Sequence, residues 1–299
     1  MGEKGAGGAG IFFLSFGISL AVLMAAVTGV LYWMLGAERE NRQAENSASQ
    51  AAEEALASPP GREDGLNLVI IDCRERTDSP QAYTLCRFDP ANGRVLLVPV
   101  PPETVVTVAA RTDTFAGHYD YAGCANVKQA AESLLLTDMD RYVRIDRNGA
   151  VNIIDALGGL THRFEEGYET GSVSVPAGEH LLNGELLYEV MNSPPEGEDP
   201  ETWRLSLAGE LLVNSLDESA DSRMDFLMEV FWNNVDTDLS QFDYTTRRKA
   251  VTWFLRDGEK RVEILPLSGE WNGDRTEFTA GEAVLRQLRE DFGTAGDGE

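Results

Sequence analysis

Cationic residues, cysteine and histidine are all scarce in this 299-residue chain. Against 50 Asp and Glu stand 25 Lys and Arg, a formal net charge of -25. Most of such a surface repels nucleic acid and anionic lipid, so nucleic-acid binding is excluded. Cys73, Cys86 and Cys124 are an odd set without CxxC spacing. That pattern supports neither a disulfide framework nor a zinc site and leaves buried free thiols, with one oxidised pair as the alternative. His118, His162 and His180 are too scattered for a triad or a metal cluster and read as surface or loop residues.

One long apolar run is present. Ile11 to Leu35 is 25 residues without a charge, enough to cross a bilayer with some tilt. Tyr32 and Trp33 fit an interfacial aromatic belt, and Gly17 and Gly29 are tolerated inside bilayer helices. A cleaved signal peptide would carry an apolar region of about 7 to 15 residues behind a basic start. This run is longer and its start almost neutral, so an uncleaved anchor is expected. Charge barely votes on orientation, because Lys4 lies on one side and Arg39 and Arg42 on the other. The expected organisation is a short cytoplasmic tail (1–10), an anchor (11–35), a stalk (36–65), one globular domain (66–292) and an acidic tail (293–299). The stalk's Ala/Glu runs stop at Ser58-Pro59-Pro60-Gly61.

Within the domain, Asn67 to Ile71 is a continuous apolar run of the kind found in strands buried on both faces. Tyr83 to Phe88 and Arg94 to Val100 are β-rich runs separated by Asp89-Pro90-Ala91-Asn92-Gly93, which predicts a hairpin. Helical spacing at Ala125 to Leu135, alternation at Tyr142 to Asp146 and helical spacing again at Asn148 to Leu157 follow, the last ended by Gly158-Gly159. Further helices are predicted at Gly184 to Met191, Leu205 to Leu216, Met224 to Trp232, Tyr244 to Leu255 and Ala280 to Phe292, with a strand at Arg261 to Pro266. The expected fold is α/β, a three-layer α/β/α with a central mixed sheet.

The stretch from Tyr142-Val143-Arg144-Ile145-Asp146 through Asp155-Ala156-Leu157-Gly158-Gly159 resembles a segment of the LytR-CpsA-Psr (LCP) family that reads approximately YVxVNFEGFVKLVDALGG. Asn92 to Pro101 is similar to the family's hairpin, and Leu182-Asn183-Gly184-Glu185 to its LNGEQAL helix start. The resemblance implies an N-terminal anchor in the cytoplasmic membrane with the domain outside. It also implies transfer of a glycopolymer from a polyprenyl pyrophosphate carrier to peptidoglycan, with Mg2+ assisting. Such chemistry needs Arg to grip pyrophosphate and Asp to hold the metal.

Laid on this sequence, the family's motifs lose most of those residues. LLLGxDxR falls on Val69 to Arg76, so Asp72 replaces the glycine, Arg74 the aspartate, and only Arg76 persists. RSDT falls on Ser79 to Ala82 or on Gln81 to Thr84, without arginine or aspartate in either register. PRDT falls on Pro101-Pro102-Glu103-Thr104, where Pro102 cannot grip phosphate and Glu103 remains a carboxylate. The paired arginines after LNGE fall on Asn192 and Pro194, and DxxRxxRQ falls on Asp199 to Ser206 with Arg204 one place out of register. The phosphate-binding candidates are therefore Arg74, Arg76 and Arg204, and the metal candidates Asp72 and Glu103. Arg144, Arg147 and Ala150 occupy positions that would line a polyprenyl pocket. Alternation puts Arg144 with Tyr142 and Asp146, opposite Val143 and Ile145. Arg144 and Arg147 are read as solvated or paired with Asp138, Asp140 or Asp146, or else as lining a pocket re-made for a polar ligand.

Trp203, Trp232, Trp253 and Trp271 suggest carbohydrate stacking, although such residues usually pack in a core. Arg247-Arg248-Lys249 reads as a solvated helix face, and Asp236, Asp238 and Asp243 lack the spacing of a calcium loop. The expectation is an anchored envelope protein that has largely lost transferase chemistry and binds or scaffolds. The alternatives are an active phosphotransferase and an envelope sensor. Its expected partners are the cell membrane, polyprenyl-linked glycopolymer, peptidoglycan and envelope synthesis proteins.

Overall fold

The structure, a computed structural model, describes residues 59–293 apart from 172, 257 and 258. The predicted anchor, most of the predicted stalk and the acidic tail after Gly293 lie outside the described residues. Among the described residues no helix is long and apolar enough to cross a membrane.

In chain order the strands are β1 (Leu66–Cys73), β2 (Pro80–Asp89), β3 (Arg94–Val100), β4 (Val105–Val108), β5 (Arg111–Thr114), β6 (Arg141–Asp146), β7 (Leu160–Phe164), β8 (Tyr168–Thr170), β9 (Val173–Val175), β10 (Gly178–Leu182), β11 (Val235–Thr237), β12 (Arg261–Ile264), β13 (Gly269–Trp271) and β14 (Phe278–Ala280). The helices are α1 (Phe115–Leu135), α2 (Arg147–Leu157), α3 (Gly184–Met191), α4 (Pro200–Ser215), α5 (Glu218–Asp221), α6 (Met224–Asn234), α7 (Gln241–Arg256) and α8 (Glu282–Phe292).

A mixed six-stranded sheet forms the centre, in the order β11-β6-β1-β2-β3-β12. β2 is antiparallel to both β1 and β3, while β6 is parallel to β1 and β12 to β3. Strands β6, β1, β3 and β12 therefore end at one edge of the sheet, where open α/β sheets carry their ligand sites. The Asp89 to Gly93 connection makes the expected hairpin, with Gly93 left-handed at φ 59°.

The apolar run at β1 is divided between two faces by its period of two. Val69, Ile71 and Cys73 join Tyr83, Leu85 and Val98 under Phe115, Val127 and Leu135 of α1 and Leu285 and Leu288 of α8. Leu68 and Ile70 turn the other way, with Cys86, Leu97 and Leu205 of α4. Phe88 on that side meets Phe254 of α7 edge to face at 5.2 Å. Burial on both faces explains why the strand reads as continuous rather than alternating.

Helix starts follow side-chain capping. Asp146 accepts from Gly149 N at 2.9 Å to open α2, Asn183 from Leu186 N at 3.0 Å to open α3, and Asp199 from Thr202 N at 2.9 Å to open α4. The last of these moves the helix start upstream of the predicted Leu205, because Asp199-Pro200 is a cap followed by an N1 proline. α1 likewise begins ten residues before the predicted Ala125, at Phe115. Non-helical backbone at Ala122 and Gly123 (φ 69°) interrupts it, and that break hides its first half from a spacing argument. The short hairpins β4–β5 and β8–β9 and the pairs β7–β10 and β13–β14 were not predicted. Their strands are three to five residues long, at or below the short end of the range in which alternation carries a signal.

Candidate functional site

Asp72 and Cys73, adjacent at the end of β1, project to opposite faces and define two neighbouring clusters. On the α4 face, Asp72 Oδ2 meets Arg204 Nη1 at 3.2 Å and accepts from Gln81 Nε2 at 3.0 Å. Arg204 also pairs with Glu201, one turn earlier on its helix. Burial pushes the Asp72 and Glu201 carboxyls up from their ordinary range, and the Arg204 guanidinium pulls both back down. Beside them Tyr188 is buried on α3, its phenol raised by burial and by the Asp72 charge.

Arg147, in the first turn of α2, lies next to this group. Its Nη2 bonds Glu185 at 2.5 Å and Glu189 at 2.9 Å, both on α3, and its guanidinium sits 5.3 Å from the Tyr188 ring centre. Glu185 and Glu189 are one i,i+4 pair on a single helix face, so they clasp the cation together. The expected partners Asp138, Asp140 and Asp146 are replaced by these glutamates, which are distant in sequence; Asp146 is spent on the α2 cap. Ala150 sits half-buried in the same first turn.

On the α1 face, Arg144 stands with Tyr142, as alternation required. It donates to the Arg76 carbonyl, and the Cys73 thiol and the Tyr119 phenol of α1 lie beside it. It is half-buried and, among the described residues, is not held by an aspartate. Burial raises the Cys73 thiol above its ordinary value, with Arg144 opposing, and burial with the Asp236 charge pushes Cys124 up to about 11. All three cysteines are free.

The remaining candidates do not converge on this point. Arg74 and Arg76 are exposed on the β1–β2 connection, their side chains without an ion pair among the described residues, while their carbonyls accept from Arg147 N at 3.4 Å and from Arg144. Glu103 lies half-buried between β3 and β4, its carbonyl bonded to Phe278 N at 2.9 Å, and it shares no hydrogen bond or ion pair with Asp72. These residues do not fit a magnesium ion as arranged. Mg2+ needs near-octahedral oxygen ligation, whereas Asp72 Oδ2 is already taken by a cation and an amide donor. No group of at least three His, Cys, Asp or Glu placed to hold a metal occurs among the described residues.

Several other expectations change. His118 is fully buried in α1, bonded to the Val106 carbonyl at 3.0 Å and to Asn126 at 3.1 Å, rather than lying at the surface. Arg247 and Arg248 are not a free basic face, since Arg247 donates to Gly65 O at 3.1 Å and Arg248 pairs with Asp221 at 2.6 Å. Trp203 is half-buried and packs against the core around Val190 and Leu207, Trp232 and Trp253 are half-buried, and Trp271 is exposed. Sequence reasoning missed Gln81, Glu185, Glu189 and Glu201. The i,i+4 spacing of Glu185 and Glu189 was visible, but Arg147, the cation they clasp, comes from another element, whereas Glu201 and Arg204 form an i,i+3 pair within one helix.

The LytR_cpsA_psr family model matches residues 32–191. Over 224 residues the chain is 23% identical to the polyisoprenyl-teichoic acid–peptidoglycan teichoic acid transferase TagU of Bacillus licheniformis, covering 72% of this chain and 71% of that one. The corresponding TagU of Oceanobacillus iheyensis is 20% identical over 190 residues, and the match spans 59% of each chain. Among solved structures, that of B. subtilis TagV superposes with a TM-score of 0.61 at 17% identity, covering 76% of this chain and 95% of that chain. At such identity the likeness establishes the mixed α/β fold. With the family model matching more than half of its length, this chain belongs to the LytR_cpsA_psr family.

Proposed function

We propose that this protein acts in cell-envelope assembly as a binding or scaffolding relative of the teichoic acid transferases, with the transfer chemistry largely lost. Its partners in this reading are polyprenyl-linked glycopolymer, peptidoglycan or the proteins that make them. Ile11 to Leu35 anchors it in the cytoplasmic membrane with the C-terminal domain outside. One observation carries the loss of chemistry: both arginines that reach into the strand-end cluster are already neutralised. Arg204 is held by Asp72 and Glu201, and Arg147 by Glu185 and Glu189. A pyrophosphate would have to displace two carboxylates from each cation. A hydrogen bond to a charged group is worth roughly 1.5 to 3 kcal/mol net, and one donor lost from developing charge costs about 10²- to 10³-fold in rate.

The test is to incubate the full chain in mild detergent with a polyprenyl pyrophosphate-linked sugar, Mg2+ and peptidoglycan, and to measure covalent transfer. No turnover is expected. A second reading, a divergent active transferase, is favoured by Arg74 and Arg76, both exposed and without an ion pair among the described residues, the latter bonded through its carbonyl to Arg144. Turnover abolished by Arg76→Ala would establish it and overturn the first. Topology is tested on intact cells, where external protease should release the domain by cutting near Ser58 to Gly61. Full protection while an external control is cleaved would reverse the orientation.

A further inference from the structure

We propose that the groove between α6 and α7 is a glycan-binding site, separate from the strand-end cluster and suited to a neutral or amino-bearing sugar chain. The groove has a volume of about 540 Å³ and is walled by Asp225, Glu229 and Trp232 on α6 and by Gln241, Tyr244 and Thr245 on α7. That volume falls within the range of about 300 to 1,000 Å³ usual for small-ligand sites. The spacings 225-229-232 and 241-244-245 each put the residues on one helix face, so two polar-aromatic stripes oppose each other across the groove.

The aromatic part is held in place before any ligand arrives. The Trp232 and Tyr244 rings meet edge to face, with centroids 6.0 Å apart and planes at 80°. Trp232 Nε1 donates to the Leu239 carbonyl at 3.2 Å, and the Tyr244 hydroxyl donates to Asp225 Oδ1 at 2.7 Å. Both polar tips are satisfied within the protein, and Tyr244 also packs against the cluster of Met224, Leu227 and Leu255, so it braces the Trp232 ring that faces the groove. A rigid aromatic corner beside carboxylate and carboxamide groups is what a pyranose requires. Its C–H face packs on a ring, while its hydroxyls need nearby acceptors and donors, which Asp225, Glu229, Gln241 and the neighbouring Asn233 provide.

Charge selects among sugars. Two carboxylates and neither Lys nor Arg line the groove, so a phosphate-bearing polymer is repelled while hydroxyl or ammonium groups are accepted. The groove volume of about 540 Å³ is room for a short run of sugars rather than a single small ligand. Trp232 thus plays the stacking role that the tryptophan set suggested in the sequence. No residue of the Asp72–Arg204 or Arg147 clusters takes part, so the outcome is independent of the transfer assay.

The full chain in mild detergent would be titrated calorimetrically with N-acetylated chitotetraose, with its de-N-acetylated counterpart and with poly(glycerol phosphate). Binding of either chitotetraose is expected, the stronger one showing whether an amine contributes, with no binding of the phosphate polymer. Glu229→Ala combined with Asn233→Ala, both at exposed positions, should weaken that binding at least tenfold with an unchanged melting temperature. Trp232→Leu should weaken it further. The proposal is overturned if neither sugar binds, if the double variant binds like the unaltered chain, or if poly(glycerol phosphate) binds as tightly as the sugars.

Discussion

Arg204 on α4 and Asp72 at the end of β1 form an ion pair across 3.2 Å, with 12% and 17% of their side-chain surfaces exposed. Removing the arginine leaves Asp72 and Glu201 desolvated without their cation. Breaking such a pair costs about 3 kcal/mol, so Arg204→Ala should lower the melting temperature clearly at neutral pH. Both carboxyls are already raised by burial and lose the Arg204 charge that lowers them, which leaves Asp72 only the Gln81 hydrogen bond in opposition. A raised carboxyl contributes stability that is complete below its unfolded pKa and is lost as pH rises through the folded value. The gap between the variant and the parent should therefore narrow toward about pH 4.5. Equal gaps in melting curves at both pH values would mean that the pair carries no such strain.

Freeing Arg204 should create anion affinity. The double change Asp72→Asn and Glu201→Gln keeps shape and hydrogen bonding but removes both competing charges. Inorganic pyrophosphate should bind this variant at least about tenfold more tightly, the equivalent of one charge-assisted hydrogen bond. Calorimetry that shows no gain would break the link between carboxylate pairing and lost phosphate grip.

Asp243 sets an acid limit on stability. Burial would raise its carboxyl, but hydrogen bonds from Ser240 and the two-point grip of Arg141, at 2.9 and 2.8 Å, bring it down to about 2. The stability it contributes is present above the unfolded value near 3.9 and is lost as pH falls through about 2. Asp243→Asn should therefore cost roughly 1 to 2 kcal/mol at neutral pH. That difference should fade between about pH 4 and pH 2, as followed by denaturant unfolding.

The thiols should resist labelling. Cys73 and Cys86 are buried, and Cys124, though half-buried, is pushed up to about 11. At pH 8 only about one Cys124 side chain in a thousand is a thiolate. A disulfide-exchange reagent should react slowly with the folded chain and with all three cysteines once it unfolds. Rapid reaction of one thiol in the folded state would place it in a more open setting.

Much of the architecture was legible because it is local. The β1 run, the Asp89 to Gly93 hairpin, the 142–159 strand-helix unit and the helix at Gly184 each declare themselves through period, capping or turn chemistry within a dozen residues. The strand-end site was legible only in its members. Asp72 and Arg204 could each be named, yet their pairing depends on α4 packing across the face of β1, a contact between positions far apart in the chain.

Sequence alone determined the family, the order of the principal elements and the excess of acid, since these depend on residue identity and short-range spacing. Tertiary structure alone decided which charges cancel. Arg147 found Glu185 and Glu189 instead of the nearby aspartates, and Arg144 found a carbonyl, a thiol and a phenol. The reason is physical: desolvated charges settle on whichever partners the packed helices bring within hydrogen-bonding range, and that range is set by the fold rather than by distance along the chain.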